Sequence, residues 1–117
     1  MNQPVNKFHI KANQVFAYAL HTFGDLRSMS KTDPMSLKVA FYGLEYVQTS
    51  TNNAAYNRSR GNAEKDGIIM KAEGAEGLYT LAEQGHKLIA WAEENKIDLS
   101  KVKTDARLGW ERLHSKA

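Results

Sequence analysis

From the first aromatic residue onward, apolar positions return at steps of three and four. Phe8, Ala12, Val15, Phe16, Ala19, Leu20 and Phe23 fall on one stripe, which predicts a helix over 8–23 with a single buried side and a stop at Gly24. The polar stretch DLRSMSKTDP follows as a connector. Its last residues read as a helix start, because Asp33 can accept from the open amides of a first turn and Pro34 suits the first helical position. The second helix then aligns Leu37, Ala40, Phe41, Leu44 and Val47, with Tyr42 and Tyr46 alongside, until QTSTNN ends it.

Beyond the stretch AAYNRSRGNAEKDG at 54–67, Ile68, Ala72, Ala75, Tyr79, Ala82, Ile89 and Ala92 line up at helical spacing, joined by Leu78, Leu81 and Leu88. This predicts one long helix from Ala63 to Asn95. Gly74, Gly77 and Gly85 each weaken it by ~1 kcal/mol relative to alanine, so a bend or break is expected near Gly74. Gly85 lies on the apolar stripe, where a neighbouring backbone can come close. Asp98 caps a fourth helix whose Leu99, Val102, Ala106, Trp110 and Leu113 share a side, with Trp110 largely buried. Strand-like alternation is not found. The expected fold is all-α, a single domain over 1–117 built as a bundle of about four helices, one of them long.

A length of 117 residues with 42% hydrophobic positions suffices for one core. The absence of cysteine removes disulfides, thiolate catalysis, iron–sulfur clusters and cysteine-bound zinc from consideration. The opening MNQPVNKFHIK lacks the basic-then-apolar pattern of an export signal, and no apolar run approaches the ~20 residues of a membrane span. A cytoplasmic protein without a membrane partner is therefore expected. Sixteen Lys and Arg against 13 Asp and Glu leave a formal charge of +3, a small excess that permits contact with nucleic acid or an acidic partner without requiring it.

Metal and cofactor chemistry find little support. Glu83 with His86, and Glu111 with His114, stand three apart as in carboxylate-bridged di-iron bundles, but those also need an inward Glu from each of the other two helices. Only Glu45 is available there, so no metal and no cofactor are expected. His9 and His21 are too far apart on one helix to share an ion. EGAEG at 73–77 lacks the spacing of a phosphate loop, and its glutamates would repel phosphate. No catalytic residues are assigned.

The best remaining candidate is YNRSRG at 56–61. Arg58 and Arg60 could fork onto phosphate, Tyr56 could stack on a base, Gly61 lets a backbone come close, and Lys65 could add a weaker contact. A solvated helix–helix connector is the simpler reading of the same residues, since Glu64 and Asp66 follow at once. Lys103 and Arg107, one turn apart on the last helix, offer a second basic surface. The charge balance puts a small basic binding protein contacting nucleic acid first. A protein-interaction module such as an inhibitor or adaptor stands close behind it, and an enzyme with a dispersed site third. Whether the chain pairs as a homodimer stays open.

Overall fold

The computed structural model describes residues 10–30, 33–49 and 53–114. In chain order these form α1 (Lys11–Phe23), β1 (Leu26–Arg27), α2 (Leu37–Tyr42), α3 (Leu44–Thr49) and α4 (Ala54–Lys65), then β2 (Ile69–Lys71) and β3 (Leu78–Leu81). The hairpin leads into α5 (Glu83–Glu94), a 3-10 turn (Leu99–Lys101) and α6 (Asp105–His114). The chain is mostly helical with one small sheet, so the all-α expectation holds only for its helical majority.

The middle of α1 is buried almost without interruption, through Asn13, Gln14, Val15, Phe16, Ala17, Ala19 and Leu20. It packs against α2, α4, α5 and β3, which explains why burial is not confined to one stripe. Asn13 inside this run is satisfied, its Nδ2 donating to Asp66 Oδ2 at 3.1 Å. Gly24 ends the helix, its N–H donating to Leu20 O. Phe23 is 53% exposed, one turn beyond the core, and Phe8 lies outside the described residues.

The second helix starts later than Asp33 and Pro34 suggest. Ser36 is its cap, with Oγ accepting from the Val39 N–H at 3.2 Å, while the Asp33 N–H turns to Ser30 Oγ. Gly43, at φ +95°, then divides the expected element into α2 and α3. Leu37 and Phe41 enter the core, whereas Leu44 on α3 is exposed.

Two larger corrections follow. Residues 54–65 form helix α4 rather than a connector, and the long helix expected from Ala63 to Asn95 does not exist. In its place stand the end of α4, an antiparallel hairpin of β2 and β3, and α5. The pairs Ile69 with Leu81 and Lys71 with Tyr79 set the hairpin register, and β1 adds to the other edge of β3 through Leu26 with Tyr79. The order is β1-β3-β2. Helical continuity fails at the hairpin turn, where Gly77 adopts φ +85° and Arg27 Nη1 lies 2.8 Å from where its Cβ would be. The same guanidinium donates to Glu76 O, tying β1 to that turn.

Asp98 caps only the 3-10 turn, accepting from the Ser100 N–H at 3.0 Å. Helix α6 begins at Asp105 with Thr104 as its cap: Oγ1 accepts from the Arg107 N–H at 3.1 Å and donates to Phe41 O at 2.6 Å. Trp110 is half-buried, not largely buried as its shared stripe implied, and no residue of α6 is fully buried. A polar joint at the start of the helix replaces the expected apolar docking. Among the described residues no helix is long and apolar enough to cross a membrane.

The turn joining α4 to β2 fixes the start of α5. Gly67 O accepts from the Gln84 N–H and Ile68 O from the Ala82 N–H, both at 2.9 Å. Gly85 makes this approach feasible, since a Cβ there would stand 2.3 Å from Ile68 O and 2.6 Å from Leu81 Cδ2. The neighbouring backbone that Gly85 admits is therefore that of Ile68. Gly85→Ala forces this joint apart and should lower stability by roughly 1–3 kcal/mol in urea unfolding, even though alanine favours helix; the contrasting control is Gly61→Ala in α4, where a Cβ meets nothing within 4 Å and alanine should stabilise by about 1 kcal/mol.

Candidate nucleic-acid interface

Helix α4 has two unlike sides. Residues 54, 57, 58, 61 and 65 fall on one side at helical spacing, and 56, 59, 60 and 63 on the other. Tyr56 and Ala63 are buried, whereas Ala54, Asn57, Arg58, Asn62 and Lys65 are exposed and Gly61 is partly so.

Tyr56, at 2% exposure, is the inward anchor. Its ring stands edge-on to Phe16 of α1 and Phe41 of α2, with centroids 6.1 and 5.8 Å away. Its hydroxyl pairs with Ser28 Oγ, just beyond β1. Its backbone N–H donates to the Tyr42 hydroxyl at 3.2 Å, which satisfies a first-turn amide that Asn53 leaves uncapped. Burial pushes the Tyr56 hydroxyl up to about 12, against the opposing pull of the Ser28 bond and the Arg60 charge. Burial also raises the Tyr42 hydroxyl.

Arg60 is committed to the fold as well. Its Nη1 donates to Glu64 Oε1 at 3.2 Å and to the Tyr79 hydroxyl at 3.1 Å, and its guanidinium lies 5.9 Å from the ring centroids of both Tyr56 and Tyr79. It clamps α4 onto β3. The expected grip is thus split: Arg58 and Lys65 point outward, while Arg60 and Tyr56 are turned in. Residues two apart on a helix do not face each other, so Arg58 and Arg60 cannot form one fork. No carboxylate among the described residues pairs with Arg58 or Lys65.

The second basic surface shares one carboxylate between its two cations. Lys103 Nζ and Arg107 Nε each sit 3.0 Å from an oxygen of Glu111. The Lys103 hydrogen bond is the main reason that the Glu111 carboxyl lies below its ordinary range. Glu83 pairs with Lys87, and His114 stacks on Trp110 with centroids 4.2 Å apart, its Nδ1 within reach of Trp110 O. Each Glu-x-x-His carboxylate thus has a cationic neighbour, and among the described residues no group of three or more His, Asp or Glu side chains is set to hold a metal. His9 lies outside the described residues.

The outer side of α4 includes Asn57 and Asn62, which the sequence reading left out of the candidate set. Asn57 falls on the helical spacing of 54, 57, 58, 61 and 65, with the exposed Asn62 at its margin, a pattern legible only once the stretch is taken as helix. Comparison with protein-family models, with curated proteins and with solved structures returns no match for this chain.

The raised Tyr56 hydroxyl yields a stability prediction. The folded protein holds that proton more tightly than the unfolded chain, so the contribution is complete below about pH 10, the unfolded value, and is lost as pH rises toward about 12. Its full size is roughly 2–3 kcal/mol. Urea midpoints should fall over that window in wild type and less steeply in Tyr56→Phe, which has no proton to lose there.

Proposed function

We propose that this protein binds double-stranded DNA, as a regulatory or accessory factor, by laying the outer side of α4 in the major groove. One observation supports this above the others: α4 spends its aromatic and one of its arginines on the core and keeps Asn57, Arg58, Gly61, Asn62 and Lys65 toward solvent. A helix about 10–12 Å across fits a major groove about 12 Å wide, whereas the major groove of A-form RNA is too narrow to admit one.

The side chains suit the purpose. Asparagine can pair with adenine and arginine with guanine along the groove edge, and Lys65, two turns from Arg58, suits a phosphate. Gly61 between them leaves the backbone uncovered. On its inner side α4 packs against α1 and α2. Glu73 and Glu76 at the hairpin turn are exposed acids, so contact falls to α4 and not to that turn.

The test is anisotropy of labelled duplexes across a salt series starting at ~50 mM, where phosphate contacts dominate affinity. Arg58→Ala with Lys65→Ala should weaken binding and shallow the logarithmic salt slope by roughly 2, with the melting temperature kept. Arg60→Ala should do the reverse, lowering the melting temperature because it unpins α4 from Tyr79. Wild-type protein that ignores duplex DNA at the lowest salt, or an Arg58/Lys65 variant that binds like wild type, overturns the reading and moves a protein partner to first place.

A further inference from the structure

Helix α6 is docked on one side only. Arg107 lies against Gly43, 3.1 Å from where a Cβ would be, and Trp110 meets Tyr46 edge-on with centroids 6.1 Å apart. Yet none of its residues is buried, and Leu113 is 78% exposed. A helix of 10 residues is below the roughly 12–15 that persist unaided in water, so it depends on what it packs against.

Its outer side carries a pattern of charges around a glycine, of which Asp105 also pairs with Lys11. At about 100° per residue, Asp105, Leu108, Gly109 and Arg112 share the side opposite Arg107 and Trp110. Gly109 costs a helix interior about 1 kcal/mol relative to alanine, and a Cβ there would meet nothing within 4 Å. Among the described residues nothing approaches it closely enough to require glycine. A second helix would, because glycine lets two backbones approach. The charges around it reverse symmetrically: Asp105 stands three positions before Leu108, and Arg112 three positions after Gly109. An identical helix laid antiparallel about a two-fold axis through the midpoint of Leu108 and Gly109 sets each Leu108 over the Gly109 of the other copy and each Asp105 against its Arg112. Asp105 is open to this, since its ion pair with Lys11 at 3.1 Å leaves its side chain 90% exposed.

We propose that two copies of this chain associate through α6 in this antiparallel arrangement. No DNA contact is needed for it, so it stands or falls apart from the DNA reading. Sedimentation equilibrium of the full chain without nucleic acid should show a two-copy species with dissociation below ~100 µM. Asp105→Arg or Arg112→Asp alone puts like charges at both symmetric contacts and should weaken pairing by roughly 3- to 30-fold. The double exchange Asp105→Arg with Arg112→Asp should restore it to within about twofold, because opposite charges again face each other. Gly109→Leu separates an interface from an internal role: it should raise helix content by propensity yet leave the protein monomeric. A wild type that stays monomeric at ~100 µM overturns the proposal. So does a pairing constant unmoved by the single exchanges, a double exchange no better than either single one, or a Gly109→Leu protein that still pairs.

Discussion

The seating of α4 on the rest of the fold rests on how Tyr56 is held. Its ring stands edge-on to the stacked pair Phe16 and Phe41, its hydroxyl reaches Ser28, and its amide is taken by Tyr42. Three helices and the segment after β1 therefore meet at one side chain. Each edge-on aromatic contact contributes about 0.5–1.5 kcal/mol beyond the burial of its surface. The rotation of α4 about its axis follows from this anchor. Arg60 adds a second fixed point on β3, and Asn13 with Asp66 a third near the end of the helix.

That fixation is what gives α4 an outer side of defined composition. The helix is poor in apolar residues, so a small set of strong inward contacts must hold it: Tyr56, Ala63 and the Arg60 clamp. The remaining residues are charged, polar or small. Two arginines one residue apart in sequence therefore differ in kind. Arg60 is a structural cation surrounded by a carboxylate, a hydroxyl and two rings, whereas Arg58 is an exposed charge. Counting basic residues does not distinguish them, and neither does the net charge of +3. The same holds on α6, where Glu111 takes up both Lys103 and Arg107.

Attachment of α6 follows a different principle from attachment of α4. Thr104 closes the helix start and reaches the Phe41 carbonyl in one step, joining the last element to the aromatic core by hydrogen bonds. Apolar burial contributes little there. The opposite side carries Asp105 and Arg112 placed symmetrically about the midpoint of Leu108 and Gly109, the pattern on which the proposed pairing of two copies rests.

The helical periods of α1, α2 and α5 were legible in the sequence, as were the stop at Gly24 and the close approach at Gly85, because each depends on local spacing or on the lack of a side chain. The hairpin was not. Ile68, Ala72, Ala75 and Tyr79 fit a helical stripe, yet only Tyr79 of the four lies in a strand, and pairing with β1 and the left-handed turn at Gly77 decide against the helix. The helix at 54–65 was hidden for a related reason: with so little apolar content its pattern is that of a connector, and it becomes a helix because Phe16, Phe41 and Tyr79 supply distant partners for Tyr56 and Arg60. By itself the sequence determined a mostly helical chain without cysteine chemistry and with a slight basic excess, since these follow from composition and short-range periodicity. Which side of α4 faces solvent, and so whether Arg58 or Arg60 is available to a ligand, was decided only by tertiary contacts between residues far apart along the chain.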